Sequence, residues 1–175
     1  SELNAMATNP ENWGFFEDLV SAVENTNFSG RIGYVANFDA YNDPQHRTLI
    51  QSLDIDYLGV SAYFSAIDSA DAALVSGTGP VSSATRDLMV ANLAVQLDQL
   101  AAFADDLELP VLIQEFGAVK SNYTSLNPWA FVPGDFVGDV PDPFVDDPYE
   151  QQALYESMLT ALDGRSDTFE SIHFW

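Results

Sequence analysis

Four stretches of the chain are short and dense in β-branched and aromatic residues. They are RIGYVANF (31–38), DYLGVSAYF (56–64), PVLIQEF (110–116) and FESIHFW (169–175). None alternates cleanly throughout between apolar and polar positions, which is how strands covered on both faces read. Helical spacing fills the intervals. Phe16, Leu19, Val20 and Val23 fall on one stripe of a helix over 11–27, and Leu49, Ile50 and Leu53 mark a short one over 44–53. Leu93, Leu97, Leu100, Ala104 and Leu107 mark the longest, over 85–107, and Leu154, Met158, Ala161 and Leu162 a fourth, over 148–163.

Three of these helices open on the same pair of residues, Asn9-Pro10, Asp43-Pro44 and Asp147-Pro148. An Asx side chain accepts from the free N–H groups of a first helical turn, and a proline placed there sacrifices no hydrogen bond. The elements therefore alternate, helix then strand, four times over, which predicts parallel strands joined by helical crossovers. A doubly wound sheet and a (β/α)8 barrel both satisfy that order. The doubly wound reading wants a glycine-rich phosphate turn, and SGTGP (76–80) is a poor one, with no helix at the right distance behind it. The strand ends favour the barrel. They finish in Asn37 and Asp39, Ser61 and Tyr63, Glu115, and His173 and Trp175, and loops of very unequal length follow, from about four residues after Phe38 to roughly thirty after Phe116. The opening SELNAM reads as the end of a further strand. The expectation is thus the C-terminal portion of a (β/α)8 TIM barrel, from the end of strand 4 through strand 8. Residues 1–175 would form one partial catalytic domain without a second, and the first strands would come from the same or another chain.

Charge narrows the partners. The 27 acidic residues face only five basic ones, Arg31, Arg47, Arg86, Lys120 and Arg165, for a net charge of −22. Binding a polyphosphate requires lysine and arginine, so a nucleic acid is not expected as partner. The acids are spread along the chain, as a solubilising surface suited to salt-rich surroundings would be. The absence of cysteine removes disulfides, thiolate metal sites and thiol catalysis. Apolar runs break after four to six residues, too soon for a membrane span.

The residue that asks for an explanation is Glu115. A carboxylate at the end of an apolar strand is costly unless hydrogen bonds satisfy it or chemistry uses it. Glu2, at the end of the partial first strand, is a candidate partner. In a barrel the ends of strands 4 and 7 face one another across the mouth, and two carboxyls across a cleft are the minimum equipment for cleaving a glycosidic bond. One protonates the leaving oxygen while the other attacks the anomeric carbon or activates water, and a separation of about 5–5.5 Å marks the retaining, two-step route. A structural acid bonded to backbone N–H groups or to an arginine is the competing reading of Glu115. A solvent-facing side chain is the competing reading of Glu2.

SELN at a strand end, then DYLGVSAYF, then VLIQEFG fall in the order seen in clan-A glycoside hydrolases, and the chain resembles them from its first residue to its last. It is most similar to family 113, which includes endo-β-mannanases. In that family the acid/base glutamate follows strand 4 in a G-[ST]-E-L context, and the nucleophile ends strand 7 in an [IV]-x-E-x-G context. The resemblance implies Glu2 as acid/base, Glu115 as nucleophile, Tyr63 as a hydrogen-bond donor to the nucleophile and Trp175 as a sugar platform. Many clan relatives carry asparagine just before the acid/base; Ser1 stands there in this chain, which fits family 113 better than the cellulase-like members. The implied activity is a retaining hydrolase of β-1,4-linked polysaccharide, mannan in particular, needing no cofactor and no metal, and working outside the cell or at its surface.

Around that pair, Trp129 and Phe131 offer aromatic faces for sugar rings, and Asn37 and Asp39 offer groups for sugar hydroxyls, although strand-end turn chemistry accounts for the latter two nearly as well. His173 reads as a satisfied core histidine and Tyr63 equally as a core tyrosine. Asp135, Asp139, Asp142, Asp146 and Asp147 raise the question of calcium. Their spacing lacks the rhythm and the glycine of an EF-hand loop, so a solvated loop with Asp147 as a helix cap is the expectation. The alternative function is a non-catalytic carbohydrate-binding or structural module on a barrel scaffold.

Overall fold

The computed structural model describes residues 9–131 and 145–174. Four helices and four strands alternate: α1 (Trp13–Glu24), β1 (Gly33–Asn37), α2 (Pro44–Ser52), β2 (Tyr57–Ser61), α3 (Ser83–Leu107), β3 (Val111–Phe116), α4 (Pro148–Leu162) and β4 (Phe169–Phe174). Short 3-10 turns at Pro10–Asn12, Phe38–Asn42 and Ser69–Val75 complete the order. The caps form as local chemistry dictates. Asp43 accepts from the N–H groups of Gln45 and His46, and Asp147 from those of Tyr149 and Glu150. Asn9 caps only the 3-10 turn, and α1 follows from there.

The strands form one sheet in the order β1-β2-β3-β4. β1 and β2 run parallel, with Gly33 opposite Tyr57 and Asn37 opposite Ser61. The Leu58 N–H donates to the Pro110 carbonyl at 3.0 Å, and the Val111 N–H to the Thr168 carbonyl at 2.8 Å, which sets the following strands alongside. Each strand lies beside the one before it in sequence. A doubly wound sheet reverses direction at a switch point, and this order has none. A parallel sheet with alternating helices wound one way is part of a (β/α)8 barrel.

The described residues fall into two compact units. The first comprises the residues up to Ala62, Leu100–Gln114 and Asp167–Ile172; the second comprises Tyr63–Gln99, the described part of 115–166, and His173–Phe174. In the first unit β1, β2 and the start of β3 approach so closely at Gly59 that a Cβ there would lie 2.6 Å from Val35 Cγ2. The fully buried Tyr41 hydroxyl donates to the Gly59 carbonyl and lies 3.2 Å from that of Tyr34, and burial holds that hydroxyl well above its ordinary pKa. Arg47 stacks over Phe103 and donates to the Tyr41 carbonyl. In the second unit Met89, Leu93 and Leu97 of α3 and Leu154 and Met158 of α4 are wholly buried.

Two sequence expectations about burial fail. Only β2 is covered throughout its centre; β1 exposes Val35, and β4 is mostly half-exposed or exposed. β1 and β4 end the strand order, so among the described strands each has a neighbour on one side only. Leu19, placed on the buried stripe of α1, is 53 % exposed, while Phe16 on the same helix is buried against Tyr34.

Candidate active site

Glu115 and Tyr63 both lie in the second unit. Glu115 is the penultimate residue of β3, and the Tyr63 hydroxyl, two residues beyond the end of β2, donates to Glu115 Oε2 at 2.8 Å. Glu115 is exposed, contrary to the desolvated setting expected from its apolar strand. The apolar residues Val111, Ile113 and Phe116 are packed, whereas the carboxylate emerges at the strand's C-terminal end and reaches solvent. All five basic residues are engaged elsewhere. Arg31 pairs with Glu170, Arg86 with Glu156, Lys120 with Asp146 and Arg165 with Asp98, and Arg47 with the Tyr41 carbonyl. Among the described residues, then, no guanidinium or ammonium neutralises Glu115.

The backbone leaving Glu115 is fixed from α4. Phe116 packs edge-on against Tyr155 and Phe174 at 5.6 and 5.9 Å between ring centres, and those two rings meet at 5.4 Å. The Ala118 N–H donates to the Tyr155 hydroxyl at 3.4 Å, and Gln151 Nε2 donates to the Ala118 carbonyl at 2.7 Å. Beyond it, residues 121–128 are all buried although six of the eight are polar or proline. Trp129, 38 % exposed, and Phe131, 46 % exposed, follow; Phe131 meets the Tyr63 ring edge-on at 6.4 Å. An exposed carboxylate, a phenol bonded to it and an aromatic ring touching that phenol form a polar centre with an apolar wall.

The residue that sequence reading missed is Glu150. It has no solvent exposure, and its carboxylate accepts from the N–H of Tyr123 at 2.7 Å, the N–H of Ser125 at 2.8 Å and the Ser125 hydroxyl. Burial pushes its carboxyl up to about 7; the bonds from Ser125 and Tyr123 oppose that shift, and the neighbouring Asp147 adds to it. The signal was available. Glu150 falls on the buried stripe of α4 with Leu154, Ser157, Met158 and Ala161, where an acid is out of place unless something satisfies it. Beside Glu150 and Asp147 a cleft of about 370 Å3 opens, lined also by Val75, Thr78, Ser82 and Thr85; Tyr63, Glu115 and Trp129 are not part of it.

The remaining candidates are placed as follows. Asn37 ends β1, and exposed Asp39 lies in the 3-10 turn after it, both in the first unit. His173 is exposed on β4, which corrects its reading as a core histidine: β4 has no further described strand to cover it. Glu2, Trp175 and the aspartates at 135, 139 and 142 lie outside the described residues. Asp146 pairs with Lys120 and Asp147 caps α4, and the described residues contain no group of three or more histidines and acids that could hold a metal. No helix among them is long and apolar enough to cross a membrane.

The strand order and the alternating helices define a portion of a (β/α)8 barrel, similar in fold to glycoside hydrolases. More particularly, the fold is similar to part of that of GH113 β-mannanases. The chain aligns with the GH113 β-mannanase AaManA of Alicyclobacillus acidocaldarius, solved in complex with ManMIm, at a TM-score of 0.60 and 17 % identity. It aligns with a GH113 β-1,4-mannanase, also solved as a complex, at 0.59 and 16 %. These alignments cover 93 % and 91 % of this chain but 39 % of each mannanase, so the chain spans well under half their length. No family model matches the sequence, and no curated protein does.

Proposed function

We propose that the chain carries part of the active site of a retaining glycoside hydrolase acting on β-1,4-linked polysaccharide, with mannan as the substrate. The observation that carries this reading is the Tyr63–Glu115 bond at a strand end of a β-mannanase fold. A carboxylate that attacks an anomeric carbon must be ionised and correctly aimed. A phenolic hydroxyl donating to one oxygen holds it in place and leaves the other oxygen free. In the first step Glu115 bonds to the anomeric carbon while an acid protonates the departing glycosidic oxygen. In the second, water activated by the same acid, now a base, displaces Glu115 and returns the sugar with its configuration retained. We assign the acid/base role to Glu2, and to Trp129 and Phe131 the stacking of sugar faces. The net charge of −22 and the polysaccharide substrate favour work outside the cell or at its surface.

The test is hydrolysis by the full-length protein of mannan, glucan and xylan, alongside Glu115→Gln and Glu2→Gln. The expected result is release of reducing ends from mannan that each substitution lowers by about a thousandfold or more, as removal of a covalent nucleophile or its proton donor does. Full activity in both variants overturns the assignment. Binding of mannan without any hydrolysis by the unmodified protein establishes the non-catalytic module instead.

A further inference from the structure

We propose that Glu150 is a positioning residue for this reaction, one that never touches the substrate: its carboxylate pins the segment 123–126, and that segment pins the backbone leading away from Tyr63. The inference rests on the reading of Tyr63 and Glu115 as a donor–nucleophile pair.

A buried polar loop must find partners for its backbone groups. For residues 121–128 the donors Tyr123 N–H, Ser125 N–H and Ser125 Oγ–H all converge on Glu150. Tyr123 stands at φ 64°, a left-handed conformation that a bulky side chain disfavours and that surrounding bonds must hold. On another side of the segment, the Ser125 and Leu126 carbonyls are turned toward residues 65–67. The Ser125 carbonyl accepts from the N–H groups of Ala66 and Ile67 at 2.7 and 3.2 Å, and the Leu126 carbonyl accepts from the Ser65 hydroxyl at 2.9 Å. From the far side, Gln96 Nε2 donates to the Ser65 carbonyl and Asn92 Nδ2 to the Ala66 carbonyl, each at 3.0 Å. Residues 65–67 are thereby held on both sides, two residues from Tyr63. Within one unit, bonds join Glu150 to Ser125 and Ser125 to Ala66, the backbone of residues 63–66 joins Ala66 to Tyr63, and the Tyr63 hydroxyl bonds to Glu115. Glutamine at 150 presents an amide N–H₂ to one of the three donors, so the clamp opens without any change of shape or any loss of packing.

The test compares the full-length wild type, Glu150→Gln, Tyr63→Phe and the double variant on mannan, each shown to be folded by circular dichroism at the assay temperature. Glu150→Gln is expected to lower kcat about 10- to 100-fold with KM within about threefold, the size of loss that misplacing a reacting group by an ångström produces. In the Tyr63→Phe background the same substitution is expected to lower kcat by less than about threefold, because its effect passes through a hydroxyl already removed. Amide exchange at Ala66 and Ile67 is expected to quicken together with that at Tyr123 and Ser125. An unchanged kcat in Glu150→Gln overturns the proposal. So does an equal fold-loss in both backgrounds, the signature of a merely structural defect. Unchanged exchange at Ala66 and Ile67 overturns it whatever the activity. A wild type inactive on every β-1,4-linked polysaccharide instead overturns the hydrolase reading, and the positioning role of Glu150 with it.

Discussion

Glu150 makes the stability of this protein depend on pH in a direction opposite to that of most carboxylates. Its carboxyl is held at about 7 in the folded chain against 4.5 for a solvated one. Between those two values the folded state keeps a proton that the unfolded state has released. Stability from this group is therefore fully present below pH 4.5 and is lost as pH rises through about 7. At about 1.36 kcal/mol per unit, that interval of pKa corresponds to a loss on the order of 3 kcal/mol. Against a typical total of about 5–15 kcal/mol such a loss is readily measured. The assay is urea unfolding followed by circular dichroism at a series of pH values from below 4.5 to above 7, on wild type and Glu150→Gln. The other 26 acids are common to both proteins, so the difference between the two curves isolates Glu150. Glutamine there carries a fixed cost for setting an amide N–H₂ against a donor, and this shifts its curve without tilting it. The expected outcome is that wild type loses its advantage over the variant as pH rises, by the amount above. Parallel curves across the whole interval would refute the reasoning, because they would mean that the carboxylate is as well solvated folded as unfolded.

Two further substitutions in the first unit have opposite signs. Tyr41→Phe leaves the buried Gly59 carbonyl without its phenolic donor and is expected to destabilise by about 1–3 kcal/mol, read as a lower urea midpoint with an unchanged slope. His46 is buried on α2 with neither ring nitrogen bonded. His46→Leu keeps most of its volume, removes two unsatisfied polar atoms and is expected to stabilise by about 1 kcal/mol; a lower midpoint would show that the imidazole has a partner.

What could be read from the sequence was whatever short-range chemistry decides. The helix starts at Pro44 and Pro148 were legible because an Asx cap and a proline act within one turn, and the α3 stripe because its period is a property of the helix itself. The pairing of Tyr63 with Glu115 was suggested by family resemblance, and the structure supplies the distance. Burial was harder to read because neighbours decide it. The apolar residues of β4 look like those of β2, yet among the described strands β2 has a neighbour on each side and β4 on one, and His173 lies exposed. Glu115 looked desolvated because Val111 and Ile113 precede it, although its own place is the strand's end.

The segment SNYTSLNP (121–128) shows how composition misleads about burial. Its residues are those of an exposed loop, and locally nothing argues against that reading. It is buried because the acceptor for its amides arrives from 25 residues further on. α4 brings that acceptor, and the same helix supplies Gln151 and Tyr155 to the Ala118 backbone just past Glu115. Its cap, Asp147, closes the first turn that orients Glu150. A single helix thus fixes the chain leaving the strand-end carboxylate and, through Ser125, the chain leaving the tyrosine that bonds to it. A one-residue insertion between Glu150 and Gln151 would rotate one set of contacts by about 100° relative to the other and separate the two supports.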